Sequence, residues 1–156
     1  MQESFEPLFF VILYGTYFGF NIIYYFATPI FSMTTIFSEG NEEYPSINLD
    51  KQENVFFIKG RSIPHNSEKI YGPVINWFEE YLTQPNESTT LEFELDYFNT
   101  STQKYLADLF KLINNKRDKS KHFVVIWKYG ADDDDMKMIG EQFQYFVDFK
   151  FDFQTI

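Results

Sequence analysis

Leu91, Phe93 and Leu95 alternate with Glu92 and Glu94, the two-residue period of a strand with one face buried. From Lys104 the apolar residues change step, and Tyr105, Leu106, Leu109, Phe110, Leu112 and Ile113 recur at helical spacing. Between strand and helix stands Asn99-Thr100-Ser101-Thr102. Short polar side chains satisfy the free N–H groups of a helix start, and Thr100 with Gln103 has the offset of a capping box. The pattern predicts a strand that delivers a hydroxyl to a helix N-terminus.

The same periods sort the rest of the chain. Ile47–Leu49 and Val55–Gly60 read as two strands joined by a turn. Ile70, Val74, Trp77, Phe78 and Tyr81 mark a helix over Ile70–Leu82, with Pro73 placed in its first turn. His122–Trp127 is a nearly continuous apolar run, the expectation for a central strand covered on both faces. A third helix is expected over Asp134–Phe146, and Phe149, Phe151 and Phe153 alternate with polar residues as a last strand. The order ββαβαβαβ implies an α/β fold, a mixed or mostly parallel sheet with covering helices.

The first segment does not fit this scheme. Pro7 to Phe37 contains no charged residue, and about 20 apolar residues suffice for a membrane-spanning helix. No Lys or Arg precedes Lys51, so the positive-inside bias that sets orientation is missing. Glu3 and Glu6 also stand where a secretory signal carries basic residues. Two readings of residues 1–38 stand open: a membrane anchor, or an upstream extension with Met33 as the natural first residue. Residues 39–156 form the expected domain. A cytoplasmic location is expected, membrane-associated if the apolar segment is genuine.

Charge and composition narrow the function. The 156 residues carry a net charge of −10, which disfavours a nucleic-acid backbone as partner. No cysteine is present, which rules out a disulfide scaffold or a thiol nucleophile. No Ser-His-Asp set, Gly-rich phosphate loop or His-carboxylate metal motif stands out, so neither an enzyme nor a cofactor is expected. Asp132–Asp135 invite a divalent metal, but adjacent carboxylates lack the alternation of a calcium loop and suit a turn before a helix. Lys116, Arg117, Lys119 and Lys121 form a dense basic cluster, either a solvated face or a dock for an acidic surface. His65 lies in a polar loop and receives no chemical role. Thr100 itself reads two ways, as a helix cap contributing about 1 kcal/mol or as a phosphate acceptor favoured by the helix dipole.

Several separated motifs recur in one order: Ile70-Tyr71-Gly72-Pro73-Val74-Ile75-Asn76-Trp77, Tyr97-Phe98-Asn99-Thr100-Ser101-Thr102, Trp127-Lys128-Tyr129 and Asp132-Asp133-Asp134-Asp135-Met136. Together they resemble the SiaC family of bacterial biofilm regulators, over roughly Ile47 to Phe153. That resemblance implies a STAS-like, anti-anti-sigma-like fold and a partner-switching function. It places the phosphoacceptor threonine at Thr100, with Asn99, Ser101 and Thr102 lining the same partner-binding corner. It further implies a dedicated protein kinase, a PP2C-type phosphatase, and an effector such as a diguanylate cyclase, which the unmodified protein binds and promotes to raise cyclic-di-GMP. Where relatives tend to carry a glutamate after the loop proline, this chain has His65. The rival expectation is a membrane-tethered structural or scaffold protein in which Thr100 is an ordinary cap.

Overall fold

The computed structural model describes the backbone of residues 9–17 and 20–28 and every residue from 33 to 156. The chain divides into two units, Met1–Met33 and Thr34–Ile156. In the first, β1 (Phe9–Tyr17) and β2 (Phe20–Thr28) pair antiparallel, with Tyr17 opposite Phe20 and Phe9 opposite Thr28. Among the described residues no helix is long and apolar enough to cross a membrane. The anchor reading of 7–37 otherwise rests on side chains before residue 33, which lie outside the described residues.

The second unit is a six-stranded mixed sheet: β3 (Ile36–Ser38), β4 (Ser46–Asp50), β5 (Val55–Ser62), β6 (Ser88–Phe98), β7 (His122–Tyr129) and β8 (Lys150–Thr155). The strands lie side by side in sequence order; β3 to β5 run antiparallel and β5 to β8 parallel. Helices α1 (Ser67–Tyr81), α2 (Thr100–Lys116) and α3 (Asp134–Tyr145) make the three parallel crossovers. β3 was not expected. It recruits Ile36–Ser38 from the apolar segment, and the carbonyl of Thr34 accepts a 2.7 Å hydrogen bond from Trp77 Nε1. The folded unit therefore starts ahead of the expected boundary at residue 39.

A sheet whose strands advance in one direction by right-handed crossovers must carry all its helices on one face. The aromatic contacts agree. Phe93 and Trp127 are cross-strand partners, and Phe93 meets Phe110 of α2 at 5.2 Å between ring centroids. Trp127 meets Phe143 of α3 at 5.7 Å, and Phe56 meets Trp77 of α1 at 5.8 Å. The alternate positions project to the opposite face, where Glu92 accepts from both Lys59 (2.5 Å) and Lys128 (2.8 Å). Partial burial pushes the Glu92 carboxyl up, but these hydrogen bonds outweigh it and hold the carboxyl below its ordinary range. The expectation that β7 is covered on both faces is thus corrected. Phe123, Val125 and Trp127 are buried, whereas Val124, Ile126 and Lys128 stay half-buried beside the ion pairs.

One local expectation changes for a capping reason. Asn66 caps α1 by accepting from Lys69 N–H, so the helix starts at Ser67 and Pro73 lies well inside it, not in its first turn. Its ring costs one backbone bond there and is tolerated on the exposed side. Gly140 lets α3 approach the sheet: a Cβ there would stand 2.7 Å from the Trp127 ring and 2.8 Å from Phe153. Trp127 cannot easily retreat, because its Nε1 donates to the Met136 carbonyl at 3.0 Å.

The basic cluster after α2 is consumed internally. Lys116 pairs with Glu79 at 2.9 Å, Arg117 and Lys119 share Asp148 at 2.6 and 2.5 Å, and Lys121 pairs with Glu87. These pairs speak against the cluster as a dock for an acidic surface. They also hold the Asp148 carboxyl down at about 2.

Two outcomes follow. Gly140→Ala gains up to about 1 kcal/mol of helix propensity but overpacks an indole, at about 1–3 kcal/mol. Urea unfolding is expected to show a net loss, and an unchanged midpoint would refute the close approach. Because the folded Asp148 carboxyl lies below its unfolded value, its stabilisation is complete above about pH 4 and is lost as pH falls toward 2. Asp148→Asn should flatten that part of the acid-unfolding curve, and a curve parallel to wild type would contradict the pairing.

Candidate functional site

The expected phosphoacceptor corner is built where β6 gives way to α2. Strict alternation from Leu91, Phe93 and Leu95 would turn Tyr97 inward. Instead Leu95 pairs with Gly60 while Tyr97 pairs with Arg61, leaving Asp96 as an extra residue, a β-bulge. Gly60 opposite it sits at φ +88, a conformation glycine adopts without strain. The bulge turns both Asp96 and Tyr97 to solvent and returns Phe98 to the core.

Asn99, not Thr100, is the helix cap. Its side-chain oxygen accepts from the Thr102 N–H at 2.8 Å, and its carbonyl accepts from Gln103 N–H at 3.0 Å. Thr100 is the first helical residue, so the Thr100–Gln103 capping box expected from sequence does not form. Asn99 also ties the corner to the loop after β5: its backbone N–H donates to the Ser62 carbonyl at 3.1 Å and its Nδ2 to the Pro64 carbonyl at 3.3 Å. With the cap supplied by its neighbour, the Thr100 side chain is exposed, as is Ser101.

Thr102 belongs beneath the corner and not on its surface. It is fully buried, with Oγ1 3.0 Å from Ser62 Oγ and donating to the Ser62 carbonyl at 3.2 Å. Ser62 Oγ in turn lies 2.7 Å from the Tyr71 hydroxyl of α1. Burial pushes that phenol up to about 12, against the pull of its two hydroxyl neighbours, so it stays protonated and able to donate. Three buried hydroxyls thus lock β5, α1 and α2 together under Thr100. Ser62 and Tyr71 were missed from sequence because their roles depend on how α1 and α2 pack against the end of β5.

Parallel strands bring the N-termini of all three helices to one end of the sheet. α1 carries Glu68 and α3 carries Asp134 and Asp135 in the first turn, while α2 has no acidic residue there. The helix dipole at Thr100 is therefore uncompensated by any side chain of its own first turn. The aspartate run closes a turn, Asp133 N–H donating to the Gly130 carbonyl, and Asp133 caps α3 by accepting from Met136 N–H at 2.9 Å. Among the described residues no group of acidic and histidine side chains is arranged to hold a metal ion.

Residues 38–156 match the model of the SiaC family, described as regulatory phosphoproteins. The chain belongs to the SiaC family. An uncharacterized protein of Pseudomonas aeruginosa is 27% identical over 123 residues, spanning 79% of this chain and 98% of that one. The crystal structure of apo-SiaC from Pseudomonas aeruginosa aligns with a TM-score of 0.71 at 28% identity, over 79% of this chain and 100% of that one. A chain in the crystal structure of the diguanylate cyclase SiaD in complex with its activator SiaC, from the same organism, aligns with a TM-score of 0.71 at 27% identity, over 79% and 99%. The mixed α/β architecture built above is accordingly the architecture of SiaC.

The cap assignment makes a contrast measurable. Asn99→Ala removes the cap and the Nδ2 tether to Pro64, keeps the backbone bond to Ser62, and is expected to cost about 1–2 kcal/mol. Thr100→Ala, at an exposed first-turn position, should stay within about 0.5 kcal/mol of wild type. Equal losses in thermal or denaturant unfolding would overturn the assignment.

Proposed function

We propose that this protein is a phosphorylation-controlled partner-switching regulator, with Thr100 as the residue that a protein kinase modifies and a PP2C-type phosphatase restores. The observation that carries the reading is an exposed Thr100 hydroxyl at the unneutralised N-terminus of α2, in a chain of a regulatory phosphoprotein family. The unmodified form binds and promotes an effector, and a diguanylate cyclase is the effector class that the complex of SiaD with its activator SiaC supports. In this reading the protein is not itself an enzyme.

The physics of the switch is local. A phosphate adds about −1.5 to −2 charges, which the dipole of α2 accommodates while the corner faces water. Buried against a partner, the same dianion costs several kcal/mol unless a cation meets it. Ser101 shares the exposed surface and Asn99 fixes the turn, so both contribute to partner contact. Thr102 contributes only by holding the corner in shape. The rigid hydroxyl lock beneath Thr100 means that the modification changes the surface without needing to rebuild the core.

Incubation with the cognate kinase and ATP, followed by phosphopeptide mapping, is expected to place a single phosphate on Thr100. Thr100→Ala should abolish the label, whereas Ser101→Ala should retain it. Label that persists in Thr100→Ala would sink the assignment.

A further inference from the structure

The switch proposed above needs a docking surface, and a groove of about 320 Å³ opens between the end of β6, which stops two residues before Thr100, and the first turns of α3. Its apolar lining includes Tyr97, Phe98, Met138 and Ile139, and Asp96, Asp133 and Asp135 bring carboxylates to it, Asp133 being engaged in capping α3. Tyr97 and Met138 are 54% and 50% exposed, and the β-bulge is what turns Tyr97 and Asp96 outward. Aromatic and methionine side chains are the types that adapt to and anchor a partner.

Charge selects the occupant. Among the described residues Asp96 and Asp135 form no ion pair, while Lys59, Lys104, Lys116, Arg117, Lys119, Lys121, Lys128 and Lys150 are each paired with other carboxylates. Lys137 of α3 and Arg61, whose guanidinium lies over the Tyr97 ring at 5.7 Å, are among the described residues not within ion-pair distance of either. A purely apolar occupant would desolvate these carboxylates without compensation, and an acidic one would be repelled. A segment with Lys or Arg beside Leu-like side chains satisfies both halves of the groove.

We infer that this groove binds a cationic amphipathic segment of the effector protein. Its apolar side chains fill the space between Tyr97 and Met138, and its cations meet Asp96 and Asp135. The inference rests on the partner-switching reading and deepens it, since the groove residues lead directly into Asn99 and Thr100.

The test uses the unmodified full chain and two synthetic 18-residue peptides, one of Leu and Lys at helical spacing and one of Leu and Glu. The chain has four methionines, so methyl-labelled methionine gives a sparse NMR spectrum in which Met138 reports on the groove. The Leu/Lys peptide is expected to shift the Met138 methyl, and Asp96→Asn with Asp135→Asn to weaken binding at least fivefold. Glu53→Gln with Glu80→Gln, an equal charge change at the opposite end of the sheet, should weaken it less than twofold. A still Met138 methyl, equal weakening by both double variants, or equal binding of the Leu/Glu peptide overturns the inference. No phosphate enters this experiment, so its failure leaves the mapping of Thr100 untouched, and a failed mapping leaves this result standing.

Discussion

Phe93 lies between Trp127 on the neighbouring strand and Phe110 on α2, and that one-sided aromatic contact is what the remaining architecture depends on. Once the inner face of β6 is committed to the helices, right-handed crossovers between sequential strands leave α1, α2 and α3 no other layer to occupy. Three helix N-termini then emerge at the same end of the sheet. Everything proposed about Thr100 follows from where that end is and how it is held.

The corner is held from below and left free above. Asn99 takes up the Thr102 and Gln103 N–H groups of the helix start, and Ser62, Tyr71 and Thr102 form the buried hydroxyl lock. Thr100 and Ser101 are released from structural duty. A side chain that the fold does not use can gain and lose a charged group at little cost to stability. A phosphoacceptor site requires that separation between a rigid frame and an idle hydroxyl.

Much of this was legible in the sequence because it depends on period alone. The alternation of Leu91, Phe93 and Leu95 and the helical spacing from Tyr105 to Ile113 mark the middles of β6 and α2, which extend to Ser88–Phe98 and Thr100–Lys116. What depended on register was not legible. The bulge at Asp96 reverses the direction of Tyr97, and its one signal was Gly60 in the adjacent strand. Capping was misassigned by one residue because Asn99 and Thr100 are both competent caps and only tertiary ties to Ser62 and Pro64 decide between them. The apolar run of β7 suggested burial on both faces, yet a sheet wound in one direction has helices on one. The basic cluster looked free because its carboxylates, Glu79, Glu87 and Asp148, come from elsewhere in the chain.

The central claim is that two negative charges on Thr100 change which partner the corner accepts. Calorimetric affinity for a diguanylate cyclase effector, measured with the unmodified chain and with the chain phosphorylated stoichiometrically on Thr100, tests it most directly. The account predicts at least a tenfold loss on phosphorylation, about 1.4 kcal/mol. Equal affinity of the two forms would contradict it.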